Sequence, residues 1–185
     1  MPKKFFFIVF EGIEGTGKTY QINKLYENLK KKGFDVVKTR EPGGTPTAEK
    51  IRNLIFSKKS EKFDKLTDFF LMNAARVEHV KKTLLVAKKN KNIVICDRFI
   101  DSTYAYQVIG KKIDQKINLI NQKYILETLK PNLTIILKAN FNSIFSRIKK
   151  RSNNNKFDNL KTNFYKKVQI AFLSIAKKKK ELFSF

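Results

Sequence analysis

FFFIVFEGIEGTGKT, residues 5–19, decides how this chain is read. Residues 5–10 form a short, continuous apolar run of the kind that makes a buried strand. The next residues, Gly12-Ile13-Glu14-Gly15-Thr16-Gly17-Lys18-Thr19, satisfy G-x-x-x-x-G-K-[ST]. Beyond them Ile22, Leu25, Tyr26 and Leu29 recur at helical spacing. Strand, glycine-rich loop and helix in that order are the setting in which this motif carries meaning. Its glycines let successive backbone N–H groups turn inward around phosphate oxygens, and the start of the following helix favours an anion. Lys18 is expected to reach the β- and γ-phosphates, and Thr19 to ligate Mg²⁺. These residues define a nucleoside-triphosphate binder and leave open whether it is a kinase, an ATPase, a GTPase or a motor.

Outward from this loop, strand and helix patterns alternate. Gly33 is placed to stop the first helix. A second strand is expected at 36–38, a loop at Glu41-Pro42-Gly43-Gly44, and a helix over 48–56 with Ile51, Leu54 and Ile55 on its apolar face. Residues 66–89 read as a long helix, 93–96 as a buried strand closed by Asp97, and 113–129 as a helix ending before Pro131. A strand at 133–137, a helix at 143–150, a polar loop at 152–156 and a helix over 158–180 complete the pattern. The class is α/β, a parallel sheet covered on both faces, in one domain spanning 1–185. Crossover connections in such sheets gather functional loops on one edge.

Composition narrows the partners. The chain has 185 residues, with 40 Lys and Arg against 16 Asp and Glu, for a net charge of +24. Such charge suits phosphate-bearing partners. However, 34 of the 40 cations are Lys, scattered through Lys-, Asn- and Ile-rich stretches. Base readers favour the bidentate Arg, so biased composition is the preferred origin and a nucleic-acid partner is not expected. No apolar run approaches the roughly 20 residues of a membrane span. The apolar run at 5–10 is too short for a secretory leader, and a single cysteine, Cys96, gives neither a disulfide nor a metal cluster. A cytoplasmic protein is expected.

Four further segments can bear chemistry. Asp97-Arg98 at the end of a strand suits metal and phosphate together. Arg40-Glu41-Pro42-Gly43-Gly44-Thr45 permits close approach of backbone to a ligand, or is simply a turn. Asn73-Ala74-Ala75-Arg76 leaves room for something flat below an Arg, or marks a helix contact with Arg on the surface. Residues 101–107, DSTYAYQ, either read a base or begin an amphipathic helix capped by Ser102. Cys96 reads as a small buried strand residue, and His79 as a solvated helix position with no partner.

Taken together, FIVFEGIEGTGKT, TREPGGT, NAARVEH, VICDRFIDSTYAYQ and PNLTIIL resemble the bacterial thymidylate kinases, over about residues 6–172. The resemblance implies a P-loop NTPase fold of the nucleoside monophosphate kinase type with a short lid at about 147–158. It implies transfer of the ATP γ-phosphoryl group to dTMP, giving dTDP and ADP on the way to dTTP, with Mg²⁺ and in a homodimer. Residues 12–19 match the ATP-phosphate loop, and Asp97 the residue at the Mg²⁺ water shell. Glu14 matches the position near the sugar 3′-hydroxyl. Arg40 and Arg98 match arginines on the dTMP phosphate, and Pro42 a proline usually preceded by a cis bond. Arg76 matches the reader of the thymine carbonyl, Thr103 and Gln107 the thymine-facing positions, and Tyr106 the aromatic that disfavours a ribose 2′-hydroxyl. Lys18 and Arg98 are the expected catalytic cations. Gly15 fits the type whose further catalytic arginines sit in the lid, here Arg147 and Arg151.

The sequence departs from that pattern at Met72, where the family usually stacks a Phe on thymine, and at Lys156, where a lid Arg is usual. Family members also generally continue with another strand and helix, and 181–185 is either a remnant of that strand or nothing. These departures keep competing readings in view: a kinase of another nucleoside monophosphate, a weakly active family member, or a nucleic-acid-stimulated P-loop ATPase.

Overall fold

A computed structural model describes residues 4–57, 63–149 and 162–178. Four parallel strands, β1 (Phe6–Glu11), β2 (Val36–Arg40), β3 (Ile93–Asp97) and β4 (Leu133–Ile136), lie in the order β2-β3-β1-β4. The register pairs Phe10 with Asp97 and Arg40 with Asp97, so three strand ends finish level. Helices connect them: α1 (Lys18–Lys31), α2 (Pro46–Phe56), α3 (Lys65–His79), α4 (Leu85–Lys89), α5 (Ile100–Thr103), α6 (Gln115–Thr128), α7 (Phe141–Lys149) and α8 (Thr162–Lys178). A π-helical stretch, Val80–Leu84, joins α3 to α4, and a second, Tyr104–Gly110, continues α5. The long helix expected over 66–89 is therefore one continuous element with a widened turn inside it.

Both faces of the sheet are covered, as strands without polar alternation require. On one face Ile22, Leu25, Tyr26 and Leu29 of α1 pack on Ile8, Phe10 and Ile95. On the other, Phe7, Val9, Val94 and Cys96 meet Val80, Leu84 and Ile125. A third cluster joins Ile13, Met72, Tyr106, Ile144, Tyr165 and Phe172, tying the loop after β1 to α3, α7 and α8. Gly33 stops α1 as expected, with φ 81° and its N–H bonded to the Lys30 carbonyl. Leu54 departs from the expected apolar face of α2 and is exposed, while Ile55 is buried. The proposed cap at Ser102 is also corrected. Ser102 lies inside α5, and its hydroxyl donates to Glu11 Oε2 at 2.6 Å. Arg151, Lys156 and most of the expected lid lie outside the described residues, as does 181–185.

Candidate active site

The level strand ends open onto a cavity of about 230 Å³, lined at one end by Glu14, Gly15, Gly17, Lys18, Thr19, Asp97 and Arg98. At its other end stand Glu41, Pro42, Arg52, Phe56, Met72, Arg76, Thr103 and Gln107, with Tyr106 between the two ends. Most of the sequence-expected residues are thus brought together; the buried Gly12, Ile13 and Thr16 of the loop do not line the cavity, nor do Arg40 and Arg147. Arg40 faces an adjacent hollow instead and pairs with Glu49 at 3.0 Å, its side chain 55% exposed. The Glu49 carboxylate holds it there, accepting from Nη2 at 3.0 Å and from Nε at 3.4 Å. Arg147 stands on α7 and donates to the Gly15 carbonyl at 2.9 Å. Arg151 is not among the described residues.

At the phosphate-loop end, Gly12, Gly15 and Gly17 all have positive φ. Gly15 has a second reason to lack a side chain: a Cβ there would come within 3.0 Å of the Ile144 carbonyl on α7. The Thr16 hydroxyl donates to the Ile13 carbonyl at 2.8 Å, and the Ile13 side chain anchors the loop in the core. Among the described residues no side chain caps the start of α1, so its first N–H groups point into the cavity with the positive end of the helix dipole. Lys18 donates to the Gly12 and Ile13 carbonyls, both at 3.0 Å. Burial, reinforced by the Arg98 charge, lowers its ammonium pKa to about 8 against the pull of Asp97, Glu14 and Glu11. An arriving polyphosphate would reverse that balance and favour the charged form.

Arg98 sits in the left-handed region, φ 73°, a conformation costing a non-glycine residue roughly 1–2 kcal/mol. Neighbouring bonds hold it. Its N–H donates to Phe10 O at 2.9 Å, and the Phe99 N–H donates to Glu11 Oε1 at 2.8 Å. The turn aims the guanidinium across the cavity to Glu14 Oε1 at 2.8 Å, with Nη1 donating to Ser102 Oγ at 3.2 Å. The Tyr106 hydroxyl donates to Glu14 Oε2 at 2.5 Å. Burial pushes the Glu14 carboxyl up, but Arg98, Lys18 and the Tyr106 hydroxyl together hold it below the ordinary range. Arg98 keeps its Nε–H and one Nη1–H without a partner among the described residues, enough for an acceptor phosphate.

At the far end Arg76 is buried and strongly engaged. Its Nε donates to Glu41 Oε2 at 2.6 Å, Nη1 to Asn73 Oδ1 at 2.9 Å and Thr103 Oγ1 at 2.8 Å, and Nη2 to the Phe99 carbonyl at 3.1 Å. Of five N–H groups one, on Nη2, has no partner among the described residues. The surface reading of Arg76 is therefore excluded. The peptide bond before Pro42 is cis.

A divalent ion fits the donor set at the strand ends. Asp97 Oδ1 is buried without a hydrogen-bond partner among the described residues, and Thr19 lines the same end of the cavity. These are hard oxygen donors, and no cluster of three or more His, Cys, Asp or Glu occurs among the described residues. Two protein oxygens, with water and phosphate completing the shell, suit Mg²⁺ rather than an all-protein cage.

Several residues here escaped the sequence reading. His79, expected to be solvated, is fully buried and bonded to Glu41 and Thr39. Glu41 lies inside the quoted loop, where Pro42, Gly43 and Gly44 carry the stronger signal. Glu11, next to the apolar run at 5–10, carries no motif signal, yet it accepts from the Phe99 and Ser102 N–H groups and the Ser102 hydroxyl. Arg52 and Phe56, one helical turn apart on α2, stack at 4.7 Å beside Pro42, whose carbonyl accepts from Arg52 Nη1 at 2.9 Å. The i, i+4 spacing of a cation and a ring was the one available signal.

A parallel sheet with a phosphate loop after its first strand, a strand-end Asp-Arg pair and a buried Arg at the far end of one cavity defines a P-loop enzyme of the nucleoside monophosphate kinase class. The thymidylate kinase family model matches residues 10–185. Thymidylate kinase of Acinetobacter baylyi is 39% identical over 88% of this chain and 81% of its own length. That of a Sulfurihydrogenibium species is 39% identical over 96% of this chain and 86% of its own. The crystal structure of thymidylate kinase from Ehrlichia chaffeensis superposes with a TM-score of 0.80 at 34% identity, covering 98% of this chain and 93% of that one. The chain belongs to the thymidylate kinase family.

Proposed function

We propose that this chain transfers the γ-phosphoryl group of ATP to dTMP, giving dTDP and ADP. The observation that carries this reading is a single cavity with an open, donor-lined phosphate loop at one end and a donor-only, buried Arg76 at the other. A base carbonyl satisfies the remaining Nη2–H of Arg76, whereas a base amino group would oppose donor to donor.

The triphosphate lies along the loop N–H groups of residues 15–18 and the Lys18 ammonium. Mg²⁺, held through Thr19 and Asp97, would neutralise phosphate charge. Arg98 grips the acceptor phosphate through its free N–H groups, close to Glu14 and Lys18. An acceptor phosphate oxygen bonds to the γ-phosphorus as the bond to the β–γ bridging oxygen breaks, and ADP departs. Such transfer needs alignment and charge neutralisation rather than a covalent intermediate. Arg147, one bond from Gly15, approaches from the lid side, and Arg151 completes the lid cations in this reading. Tyr106 and Glu14, bonded to each other, form the wall for the sugar.

The same reading includes a cytoplasmic location, where both substrates occur, and a homodimer. Exposed apolar residues support the dimer: Phe70 on α3 and Ile120 and Tyr124 on α6, at 55%, 74% and 54% exposure. Among the described residues no helix is long and apolar enough to cross a membrane.

A coupled ADP-release assay with Mg-ATP and a panel of nucleoside monophosphates tests the reaction. ADP release that requires dTMP is expected. Release stimulated instead by another monophosphate, or only by DNA or RNA, overturns the reading.

A further inference from the structure

Buried ionisable groups that touch no reacting atom need a reason, because burial is costly unless each is fully partnered. Glu41 and His79 are such groups. Glu41 is 3% exposed and His79 fully buried. The Glu41 carboxylate accepts from Arg76 Nε on one oxygen at 2.6 Å and from His79 Nδ1 on the other at 2.9 Å. The far ring nitrogen, Nε2, hydrogen-bonds the Thr39 hydroxyl at 2.7 Å. With Nδ1 donating to the carboxylate, a neutral ring accepts from Thr39, a tautomer that follows from the partners. Thr39 is fixed by the β2–β3 pairing, so the chain of bonds runs from the sheet to the base-reading arginine.

From these contacts we infer that Glu41 and His79 are positioning residues that orient Arg76 for base recognition. The geometry supports this in three ways. Three donors on Arg76 already face Asn73, Thr103 and Phe99, so the Nε contact with Glu41 fixes the remaining rotation of the planar fork. The Glu41 N–H donates to the Asp97 carbonyl at 2.9 Å, which locks its backbone to the sheet edge. Finally, Gly44 has φ 85°, and a Cβ there would collide with the His79 ring and the Thr39 hydroxyl. The glycine leaves space that the imidazole fills. Burial pushes the Glu41 carboxyl up, yet Arg76 and His79 hold it below its ordinary value, so it stays an anion.

This inference rests on the dTMP reading, and wild-type ADP release on dTMP tests that reading separately in the same assay. Loss of the dTMP response in the wild type sinks the reaction; a normal wild type with unaltered variants sinks only the inference. The variants are Glu41→Gln, His79→Gln and Thr39→Val, each assayed for kcat, KM for dTMP, KM for ATP and the preference for dTMP over dCMP, with melting temperature alongside. Glu41→Gln is expected to raise KM for dTMP about 10-fold or more, with kcat within about 3-fold and KM for ATP unchanged. The dTMP-over-dCMP preference falls with it, which a merely structural contact would not cause. His79→Gln follows in the same direction by about 3- to 10-fold, and Thr39→Val by less. If Glu41→Gln does not fold, His79→Gln and Thr39→Val decide. Folded variants with unchanged KM and base preference, or with kcat lost and base preference kept, overturn the inference.

Discussion

The two ends of the cavity are built on opposite plans. At the base end the central charged pair is already partnered: Arg76 makes four hydrogen bonds and both Glu41 oxygens are engaged. At the phosphate end groups are left open: the N–H groups at the start of α1 are uncapped, Asp97 Oδ1 has no partner among the described residues, and Lys18 rests on loop carbonyls. A neutral base offers few strong contacts, so its reader must be rigid beforehand. A triphosphate with its metal brings large charge of its own, and open donors wait for it without internal competition.

The largest expected effects test the phosphate end. Lys18→Ala should lower kcat by roughly 10³-fold or more, since removal of a cation from phosphoryl transfer in P-loop enzymes costs about that much. Its melting temperature should change little, because Lys18 bonds only two loop carbonyls that the loop can re-satisfy. Arg98→Ala should lose turnover to a similar degree and, unlike Lys18→Ala, also lose about 1–3 kcal/mol of stability, since the largely buried Glu14 loses its direct partner and keeps only Lys18 as a nearby cation. Steady-state kinetics and thermal melting separate the two. Equal stability of both variants would show that Glu14 and Arg98 are not coupled as their geometry indicates.

Removing the metal, or its proposed ligand, is the next largest effect. With EDTA, ADP release should stop and return on adding Mg²⁺. Asp97→Asn should retain the fold and raise the Mg²⁺ concentration for half-maximal rate by about 10- to 100-fold, as loss of a group around a metal typically does. An unchanged Mg²⁺ requirement would mean that the unpartnered Asp97 oxygen serves another group.

Much of this division was legible in the sequence. The phosphate loop is contiguous, so eight residues with correct flanks identify it. The strands were legible because parallel strands buried on both faces form unbroken apolar runs such as 93–96. The base end was only partly legible. Arg76 and Glu41 are 35 positions apart, and no local pattern announces that a loop carboxylate meets a helix arginine. His79 was misread for the same reason: its partners, Thr39 and Glu41, come from β2 and the loop after it. Arg40 is the opposite case: its motif position points to the cavity, but its side chain pairs with Glu49 in the adjacent hollow.

Two buried carboxylates sharpen the contrast through pH. Glu11, behind the Arg98 turn, is pushed up to about 7 by burial and by Asp101, against Ser102, Arg98 and the Phe99 amide. Glu41 is also buried but is lowered, because Arg76 and His79 outweigh its burial. For Glu11 the folded state holds a proton that the unfolded state has lost between pH 4.5 and about 7, so stability falls as pH rises through that window. The amount is about 3 kcal/mol at most. For Glu41 the sign reverses: its contribution is present above pH 4.5 and is lost as pH falls below it. Melting curves across pH should therefore flatten between 4.5 and 7 in Glu11→Gln. A Glu11→Gln profile parallel to wild type would place the titration elsewhere.

The smallest expected effect falls at the base end. Met72 is 8% exposed and lines the cavity where a flat base must lie, and its thioether covers the base edge without presenting a ring face. Met72→Phe nearly conserves volume, so its cost to the core should stay below about 1.5 kcal/mol. An aromatic pair adds about 0.5–1.5 kcal/mol beyond burial. KM for dTMP should then fall about 2- to 10-fold, with kcat and KM for ATP unmoved, as befits a change confined to the rigid end. An unchanged KM would point to Phe56, the other ring on that wall. In that case Phe56→Leu should weaken dTMP binding in the Met72 protein and have less effect once Phe stands at position 72, a non-additivity that a double-mutant cycle measures directly.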